Sequence, residues 1–524
     1  MKKYMLLILT AVSALVSSCW EESDHILSYG QSDRQAFETA EKSFENQFEA
    51  LWTAMNCNYG IWDYEKAHGL DWDDVREQYT PRFRVLDSKD TVTDDELKAI
   101  YEEILNPLHD GHLVVQVRNL KTGSYLSFSP SLNRINSERK EVFERDMKFS
   151  VDMSTYMAMT SGPLQITDGM APEHGIGRVG ATAMLVAQQI IQPLLQQGPP
   201  ADDTPEHVKM AYRYSKEYWD DFLNVFQYLT AGNIERFYAG TNEMADKYAI
   251  LGEMMGFSLP KVDAGMVSKD PGIQYYLFGG NIPYLRISDF MLTAWMDDKV
   301  FAELSSGDYP TSEVYRQEIK ATWQAWLDAI SRLKAAGQLK GVIIDVRSNG
   351  GGFMDDFKYI LGSLLPSGGY SFFQVRTKQG IGRYDYAPPM DARFPTLSEP
   401  HVVVDTEPVV VLCNTRSVSM AEMTSAAAKS LPNGCLIGNR TWGALSSLTT
   451  DESSYSQLYA SVVGKQNETP FFAYIPRMIA VFPGLGIQEG VGIIPDIELD
   501  LDLDLLANEK RDNQLERAIE YIMK

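Results

Sequence analysis

The stretch "KGVIIDVRSNGGGF", Lys340 to Phe353, decides the type of fold. A short apolar run, Val342 to Ile344, leads into three consecutive glycines and then into a segment of helical character. An apolar run that ends at glycines is typical of a buried strand. Glycine tolerates positive φ and lets a ligand approach backbone N–H groups closely, although a tight strand-to-helix turn needs the same residues without any ligand.

The same alternation of strand and helix continues through the C-terminal half of the chain. Apolar strands are predicted at "IPYLRI" (282–287), "PVVVLC" (408–413) and "GCLIGNRT" (434–441), with helices between them. Short apolar strands that alternate with helices predict a layered sheet with helices on its faces. We therefore expect an α/β (α+β) multidomain protein with its main core in residues 278–524.

The remainder of the chain has a helical pattern, and 524 residues are more than one core holds. Residues 31–118 form a predicted helical N-terminal unit, in which Phe37, Phe44, Phe48 and Leu51 lie near one helix face. This unit ends in a tight "HDGH" turn and the strand "LVVQV". Residues 119–277 are predicted to be a mostly helical middle region, and their pattern indicates no role.

Composition excludes several classes of partner. The formal net charge of -24 argues against nucleic acid and against an anionic lipid surface. The glycine-rich stretches contain no "GK[ST]" and no strand-coupled GxGxxG, so they do not indicate nucleotide binding. Cys57, Cys413 and Cys435 match no zinc spacing and are predicted to be core residues, with one disulfide left open.

The N-terminus has the pattern of an export signal. Lys2 and Lys3 precede an apolar run too short to span a bilayer comfortably, and "LVSSC" resembles a bacterial lipobox. We expect residues 1–18 to be a lipoprotein signal peptide, Cys19 to carry the lipid, and residues 19–30 to be a linker. A plain cleaved signal peptide is the alternative. The chain is then expected to be exported and anchored to the cell envelope, at the outer membrane, facing either the periplasm or the outside.

A second stretch with chemical character is "NTRSVSMAEM", Asn414 to Met423. Ser417 and Ser419 lie where a strand is predicted to run into a helix, and a serine there is exposed at the sheet edge. Ser419 and Glu422 are three residues apart, so an ordinary capping box is the alternative interpretation.

Taken together, the two stretches resemble the catalytic core of the tail-specific, or C-terminal-processing, serine proteases. That family has a strand ending in "D-x-R-x-N-x-GG" and, after a further strand, "S-A-S-x-x-E" at a helix start. The match makes Ser419 the nucleophile rather than Ser417, and Asp345, Arg347 and Asn349 are expected to brace the turn. The residues that carry the resemblance are Asp345, Arg347, Asn349, Gly351, Gly352, Ser417, Ser419 and Glu422.

The resemblance breaks at the general base. Family members carry a lysine in a motif like "G-x-x-T-x-G-K", but "GNRTWGALSS" has Ala444 at that position. The tricorn-like branch of the family uses Ser-His-Glu chemistry instead, and the N-terminal unit with its "L-x-D-G-H" resembles that branch. His112 is then the implied base, with His109 as the alternative, and His112 could also simply cap the turn after Pro107.

The third implied member lies near the C-terminus, in "GIQEGVGIIPDIELD". This segment resembles the family's "E-x-x-G-V-x-P-D-x-x" signature and makes Glu489 the acid that orients the imidazole, while Asp496 is expected to be structural. The resemblance also implies a crotonase-like spiral and an oxyanion hole formed by backbone N–H groups at Gly351 and Met420. It implies no metal and no organic cofactor.

The implied function is a serine endopeptidase that acts on peptides or unfolded proteins through an acyl-enzyme. The missing lysine keeps a second hypothesis open, a non-catalytic lipoprotein that binds a peptide or an apolar ligand on the same scaffold. A carbohydrate-handling lipoprotein is a third hypothesis. The sequence contains no convincing pair of isolated carboxylates, and this absence argues against it. Many relatives carry a peptide-binding PDZ module, but the middle region indicates helices. The sequence is compatible with a homo-oligomer and predicts no nucleic-acid partner.

Overall fold

The structure is a computed structural model that describes residues 33–149, 183, 186–230, 234–255, 273–305, 313–448, 458 and 460–524. Cys19, the signal segment 1–18, the linker 19–30 and, within the predicted middle region, residues 150–182 and 256–272 lie outside the described residues. Within the described residues, none of the helices combines the length and the apolar character needed to cross a membrane.

The described residues form α-helices, strands and shorter helical segments. The α-helices are α1 Asp33–Ala40, α2 Phe44–Asn58, α3 Trp62–Ala67, α4 Trp72–Asp87, α5 Asp94–Leu105, α6 Pro130–Glu138, α7 Lys140–Asp146, α8 Gln192–Gln196, α9 Glu206–Thr230, α10 Ile234–Lys247, α11 Ala249–Met255, α12 Leu292–Met296, α13 Asp298–Ser305, α14 Glu313–Ala335, α15 Met420–Ser430, α16 Leu503–Glu509 and α17 Asn513–Ile522. The strands are β1 Val114–Arg118, β2 Tyr125–Phe128, β3 Ile273–Phe278, β4 Ile282–Ile287, β5 Val342–Asp345, β6 Gln374–Thr377, β7 Met390–Asp391, β8 Val409–Cys413, β9 Gly434–Gly438, β10 Val462–Val463, β11 Phe471–Tyr474, β12 Met478–Val481 and β13 Ile497–Glu498. Val186–Ile191 is a π-helix, and Met354–Tyr359 and Leu361–Leu364 are 3₁₀-helices.

The chain divides into two compact units, each made of separate segments. Unit 1 contains residues 1–139, 373–392 and 443–491, and unit 2 contains residues 140–372, 393–442 and 492–524. The described part of unit 1 carries helices α1 to α6 and two antiparallel sheets, β10-β11-β1-β2 and β12-β6-β7. The described part of unit 2 carries a six-stranded sheet in the order β13-β9-β8-β5-β4-β3.

The sheet of unit 2 confirms the predicted α/β class. The pairings from β4 through β13 are parallel, and only β3 runs antiparallel to its neighbour β4. Strands β5 and β8 are buried along their whole length, which explains their unbroken apolar sequence. Because β5 and β8 are parallel neighbours, their carboxyl ends bring Ser348–Gly352 and Asn414–Ser419 to the same sheet edge.

Unit 1 has its own hydrophobic core, built from helix faces and the β1 sheet. Phe44, Phe48 and Leu51 are buried there, as the helical spacing predicts. Thr93 caps α5, since its hydroxyl accepts a hydrogen bond from the N–H of Glu96 at 3.2 Å. Cys57 in unit 1, and Cys413 and Cys435 in unit 2, are free and buried, in line with the prediction of core residues.

One local prediction is wrong. The segment after the glycine turn, predicted as a continuous helix, forms the two short 3₁₀-helices, interrupted at Ile360 with φ -105° and ψ -103°. Gly362 packs against backbone there, because a Cβ on it would lie 2.8 Å from the Phe357 oxygen. With this close packing, the segment does not follow a regular α-helical path.

Candidate active site

Ser419 lies at the junction of β8 and α15 in unit 2 with an unusual backbone. Its φ of 56° and ψ of -114° belong to a region that residues with a side chain rarely adopt. Such a conformation costs on the order of 1–3 kcal/mol and occurs preferentially at functional sites. Ser348, on the facing turn, also has positive φ at 57°. Two of the four non-glycine residues with positive φ in the described part of the chain therefore lie at this sheet edge.

Burial distinguishes the two serines of "SVS". The Ser417 side chain is fully buried, and its hydroxyl donates to the Val346 carbonyl at 2.8 Å and accepts from the Asn414 N–H at 3.0 Å. Ser419 is partly exposed. Ser417 is thus a structural link between two strand ends, and Ser419 is the serine with solvent access.

The glycine turn runs directly against Ser419. A Cβ on Gly351 would lie 2.6 Å from the Ser419 Cβ, and Gly351 has φ +93°. Gly352 has φ +143°, and a Cβ there would lie 2.1 Å from the Phe290 oxygen. Both positions therefore require glycine for reasons of space and of backbone angle.

Backbone N–H groups face this edge. Among the described residues, the N–H groups of Met420 and Gly352 have no hydrogen-bond partner. The Gly351 N–H donates to the side-chain carbonyl of Asn349 at 2.8 Å. If Gly351 is to act as an oxyanion donor, as predicted, its N–H must share or give up the hydrogen bond to Asn349. The Met420 N–H needs no such change.

Buried polar side chains brace the turn, as the sequence predicted for Asp345, Arg347 and Asn349. The fully buried Arg347 guanidinium contacts Asp345 at 2.5 Å and Asp512 at 2.7 Å. Burial alone would raise the pKa of Asp345, but the charge of Arg347 outweighs it and lowers that pKa. Asp512 also accepts from the N–H groups of Gln514 and Leu515, so the C-terminal helix α17 is tied to the turn.

Glu422 has a larger role than the sequence indicated. One carboxylate oxygen accepts from the Ser419 N–H at 3.2 Å, and the other accepts from the Thr441 hydroxyl at 2.5 Å. Thr441 in turn accepts from the Ile493 N–H at 2.7 Å. The S-x-x-E spacing predicted the first of these bonds as a helix cap, but no local pattern predicted the second.

The "HDGH" turn with His112 lies in unit 1. Burial lowers the pKa of His112 to about 4, and a hydrogen bond to the backbone of Ser446 acts in the opposite direction. The imidazole is therefore neutral at pH 7, the form in which a ring nitrogen can accept a proton. Its Nδ1 atom is buried and has no hydrogen-bond partner in the described part of the chain.

Glu489 lies in unit 1 beside the same turn. Its side chain is almost fully buried, and its carboxylate accepts from the N–H of Gly111 at 2.9 Å and from the N–H of Leu445 at 2.7 Å. Glu489 thus holds the backbone of the residue before His112. Its proposed action on the imidazole stays a prediction.

The alternative histidine, His109, has a carboxylate partner of its own. Its Nδ1 lies 2.7 Å from Oε2 of Glu65, and its backbone N–H donates to Oε1 of the same residue at 2.7 Å. Glu65 is fully buried and also accepts from the Tyr59 hydroxyl at 2.6 Å. Sequence spacing did not single out Glu65, because it lies 44 residues from its histidine.

Ala444, at the position where the sequence resemblance predicts a lysine, is fully buried in unit 1. A Cβ on Gly111 would lie 2.4 Å from the Ala444 Cα and 2.2 Å from the Gly443 oxygen. The histidine turn is therefore packed directly against the backbone at this position.

The structure thus brings Ser419, Met420 and Gly351 together in unit 2, and His112 and Glu489 together in unit 1. Residues 281–468 match the family model described as peptidase family S41. This segment includes Ser419 and the glycine turn, and it includes neither His112 nor Glu489.

Two curated relatives share part of the chain. The tricorn protease of Thermoplasma volcanium is 30% identical over 185 residues, which are 35% of this chain and 15% of that protein. The carboxy-terminal-processing protease of Bartonella bacilliformis is 25% identical over 228 residues, 44% of this chain and 41% of that protein. The chain therefore spans less than half the length of either relative.

Among solved structures, a protein of Parabacteroides merdae that is provisionally described as a peptidase aligns with 94% of this chain and 98% of its own. The sequence identity is 16% and the TM-score is 0.47. The sequence matches support a serine-type peptidase, and they concern the segment that carries Ser419.

Proposed function

We propose that this chain is a serine endopeptidase that hydrolyses peptide bonds in peptides or unfolded proteins through an acyl-enzyme. The observation that carries the proposal is the strained, partly exposed Ser419, with the glycine turn against it and beside it the Met420 N–H, which has no partner among the described residues. A nucleophile on a sharp strand-to-helix turn with an adjacent N–H donor is the arrangement that acyl transfer needs.

In the proposed reaction His112 is the general base and Glu489 is the acid that supports it. The neutral imidazole takes the proton of the Ser419 hydroxyl as the oxygen attacks the carbonyl carbon, and returns it to the leaving amine. The Met420 N–H, with a donor from the glycine turn, stabilises the oxyanion. Losing one such donor typically costs about 2.7–4 kcal/mol of transition-state stabilisation.

The test is covalent labelling with a fluorophosphonate, which reacts with an activated serine. Ser419→Ala should abolish labelling and peptide hydrolysis. Ser417→Ala is the matched control: it removes two buried hydrogen bonds and should lower the free energy of unfolding by about 1–3 kcal/mol, yet leave the labelled residue in place. Labelling that survives Ser419→Ala would refute the assignment.

The histidine is tested separately. His112→Gln should reduce the labelling rate far more than His109→Gln, because His112 is the proposed base. If His109→Gln has the larger effect, the base is the histidine paired with Glu65. If the wild-type protein neither reacts with the probe nor cleaves any of a panel of unfolded proteins, the alternative of a peptide- or apolar-ligand-binding protein replaces the peptidase.

We further propose that the protein is exported and anchored to the bacterial cell envelope by a lipid on Cys19. The support is the basic and apolar N-terminal pattern with "LVSSC". Metabolic labelling with a palmitate analogue should mark the wild-type protein and not Cys19→Ala. Equal labelling of both would contradict the anchor, and the peptidase proposal would stand unaffected.

A further inference from the structure

The serine turn, residues 414–419, is held by a hydrogen bond at every N–H group that leads to Ser419. Five consecutive N–H groups each donate to an oxygen atom. The acceptors are Asp146 for Thr415 (2.8 Å), the Asn414 side chain for Arg416 (3.0 Å), the Asn414 carbonyl for Ser417 (2.9 Å), the Asn349 carbonyl for Val418 (2.9 Å) and Glu422 for Ser419 (3.2 Å). Of these acceptors, only Asp146 lies outside residues 281–468, the segment that matches the family model.

Asp146 is the last residue of α7, in unit 2, and it is fully buried. Its Oδ2 atom accepts from both the N–H and the hydroxyl of Thr415, each at 2.8 Å. Its Oδ1 atom accepts from the side-chain amide of Asn439 at 3.2 Å. Thr415 lies just after β8, and Asn439 lies just after β9, the parallel neighbour of β8. One carboxylate therefore links the carboxyl ends of two adjacent strands.

Asp146 has no counter-charge. Among the described residues it forms no ion pair, and the adjacent Arg145 pairs instead with Asp500 at 2.8 Å. Burial accordingly raises the pKa of Asp146, against the effect of the hydrogen bonds from Thr415 and Asn439. A buried carboxyl group in this situation is costly unless donors satisfy it. Its donors belong to the two strand ends, so its removal would leave the buried N–H and hydroxyl of Thr415 without an acceptor.

Aromatic side chains on and just after α7 contact the same site at two further points. Phe143 lies edge-on against Trp442 with ring centroids 5.8 Å apart, and the Trp442 N–H donates to the Ser417 carbonyl at 3.1 Å. The ring of Phe149 lies against the Arg347 guanidinium, whose carbon is 4.3 Å from the ring centroid. The region around α7, to which the sequence assigned no role, therefore contacts residues that support both the serine turn and the glycine turn.

We propose that Asp146 is a positioning residue that fixes the serine turn and thereby the reactive geometry of Ser419. The proposal rests on the proposed function, in which Ser419 is the nucleophile, and it adds a residue of the middle region to the supports of the site. The physical reason is the strained backbone of Ser419, because a residue keeps such a conformation only when its surroundings hold it. Asp146 acts four residues before the serine, through its two hydrogen bonds from Thr415.

Fluorophosphonate labelling at several probe concentrations tests the proposal, because it separates probe binding (Ki) from the bond-forming step (kinact). Asp146→Ala should leave Ki within about twofold and lower kinact by about 10–100-fold, since a shift of about 1 Å at a catalytic group can cost roughly 10²-fold. Asp146→Asn should keep most of the rate, because its amide oxygen can accept from Thr415 and its nitrogen can donate to the Asn439 side chain once that amide turns over. Thr415→Val, which removes only the hydroxyl bond, should lower kinact less than Asp146→Ala does.

Leu506→Ala is the matched control for stability. Leu506 lies on α16 in the hydrophobic core of unit 2, and none of the hydrogen bonds that hold the serine turn involves it. Its replacement should lower the urea midpoint and leave kinact unchanged under conditions in which the protein is folded. Equal kinact values for Asp146→Ala and Leu506→Ala would overturn the proposal, and so would an Asp146→Asn variant that reacts as slowly as Asp146→Ala.

Amide hydrogen exchange of the serine turn is a second readout, and it needs no reactive serine. Asp146→Ala should speed exchange in the peptide that contains residues 414–419 at least about tenfold more than Leu506→Ala does. Equal exchange in the two variants would overturn the proposal. If Asp146→Ala fails to fold, Thr415→Val takes its place, and wild-type values in both assays would overturn the proposal. A wild type that does not react with the probe refutes the proposed function, whereas exchange still decides whether Asp146 fixes the turn.

Discussion

Replacing Gly351 by alanine tests how closely the glycine turn and the nucleophile depend on each other. The new Cβ would lie 2.6 Å from the Ser419 Cβ and 2.9 Å from the Val418 oxygen, at a residue with φ +93°. A non-glycine residue in the left-handed region costs about 1–2 kcal/mol. Forcing a methyl group into a packed site costs about 1–3 kcal/mol more. We expect Gly351→Ala to lower the free energy of unfolding by about 2–5 kcal/mol.

The effect on reactivity should exceed the effect on stability. The overlap falls on Ser419 itself, so relief requires the serine or the turn to move, and a shift of about 1 Å at a catalytic group can reduce the rate by roughly 10²-fold. The assay combines urea unfolding with the fluorophosphonate labelling rate, measured where both variants are folded. Gly350→Ala is the matched control: no atom lies within 4 Å of its added Cβ, so it should change stability by no more than about 0.5 kcal/mol.

Equal urea midpoints and equal labelling rates for Gly351→Ala and Gly350→Ala would contradict this prediction. A larger effect of Gly350→Ala would contradict it as well. Either result would show that the turn yields without strain and that the contact with Ser419 does not constrain the nucleophile.

Three further predictions concern the supports of the two sites. Arg347→Met should lower the free energy of unfolding by about 3–5 kcal/mol, because it leaves Asp345 and Asp512 buried without their counter-charge; an unchanged urea midpoint would contradict this. Gly111→Ala should lower it by about 1–3 kcal/mol, since its Cβ would lie 2.2 Å from a backbone oxygen, and should also slow labelling of Ser419 if His112 is the base. Burial raises the pKa of Asp110 from 3.8 to about 7, so between these pH values the folded protein binds a proton that the unfolded chain does not. The free energy of unfolding of the wild type should therefore fall by up to about 4 kcal/mol as the pH rises from 4 to 7. Asp110→Asn should lack this loss, and parallel pH dependence of the urea midpoints of both proteins would refute the shift.

Local pattern was sufficient for the fold class and for the sheet edge of unit 2. The run "IPYLRI" forms β4 with the predicted bounds, Ile282–Ile287, and the strands before the glycine turn and before Ser419 are both fully buried. These elements were predictable because a parallel central strand needs an unbroken apolar sequence. The sequence predicted that the turn needs glycine at position 351. It did not predict that Gly351 contacts Ser419, because this contact depends on the neighbouring strand.

Long-range pairing was not predictable from pattern. Strand β1 near "HDGH" pairs with β11, more than 350 residues later, and β12 pairs with β6. Each of these strands is only four or five residues long, so its apolar spacing does not identify a partner. For the same reason the sequence predicted three consecutive regions, whereas the contacts group separate segments of the chain into two units.

The buried carboxylates near the histidine turn were also not predicted from the sequence. Glu65 and Asp110 carry charge, and charged residues are most often exposed, so neither had a reason to be assigned to an interior site. Both accept hydrogen bonds from N–H groups of the turn, which a short loop cannot satisfy through a helix or a sheet, and Glu65 also contacts the Tyr59 hydroxyl and the His109 ring. A carboxylate that accepts two N–H bonds loses much less on burial than an unpaired one.

The absence of a lysine at position 444 and the presence of the histidine turn are two consequences of one packing arrangement. Gly111 has no room for a Cβ because the backbone of residues 443 and 444 lies against it, and the Ala444 Cβ is fully buried at the same contact. A lysine side chain would have to begin at this buried Cβ and displace the turn, which Glu489 also fixes through the Gly111 N–H. A lysine side chain at position 444 and the "HDGH" turn thus compete for the same space within unit 1. Ala444, at the position where the resemblance predicts a lysine base, is therefore the residue that lets the histidine turn pack, and Ala444→Lys should damage the turn rather than supply a base.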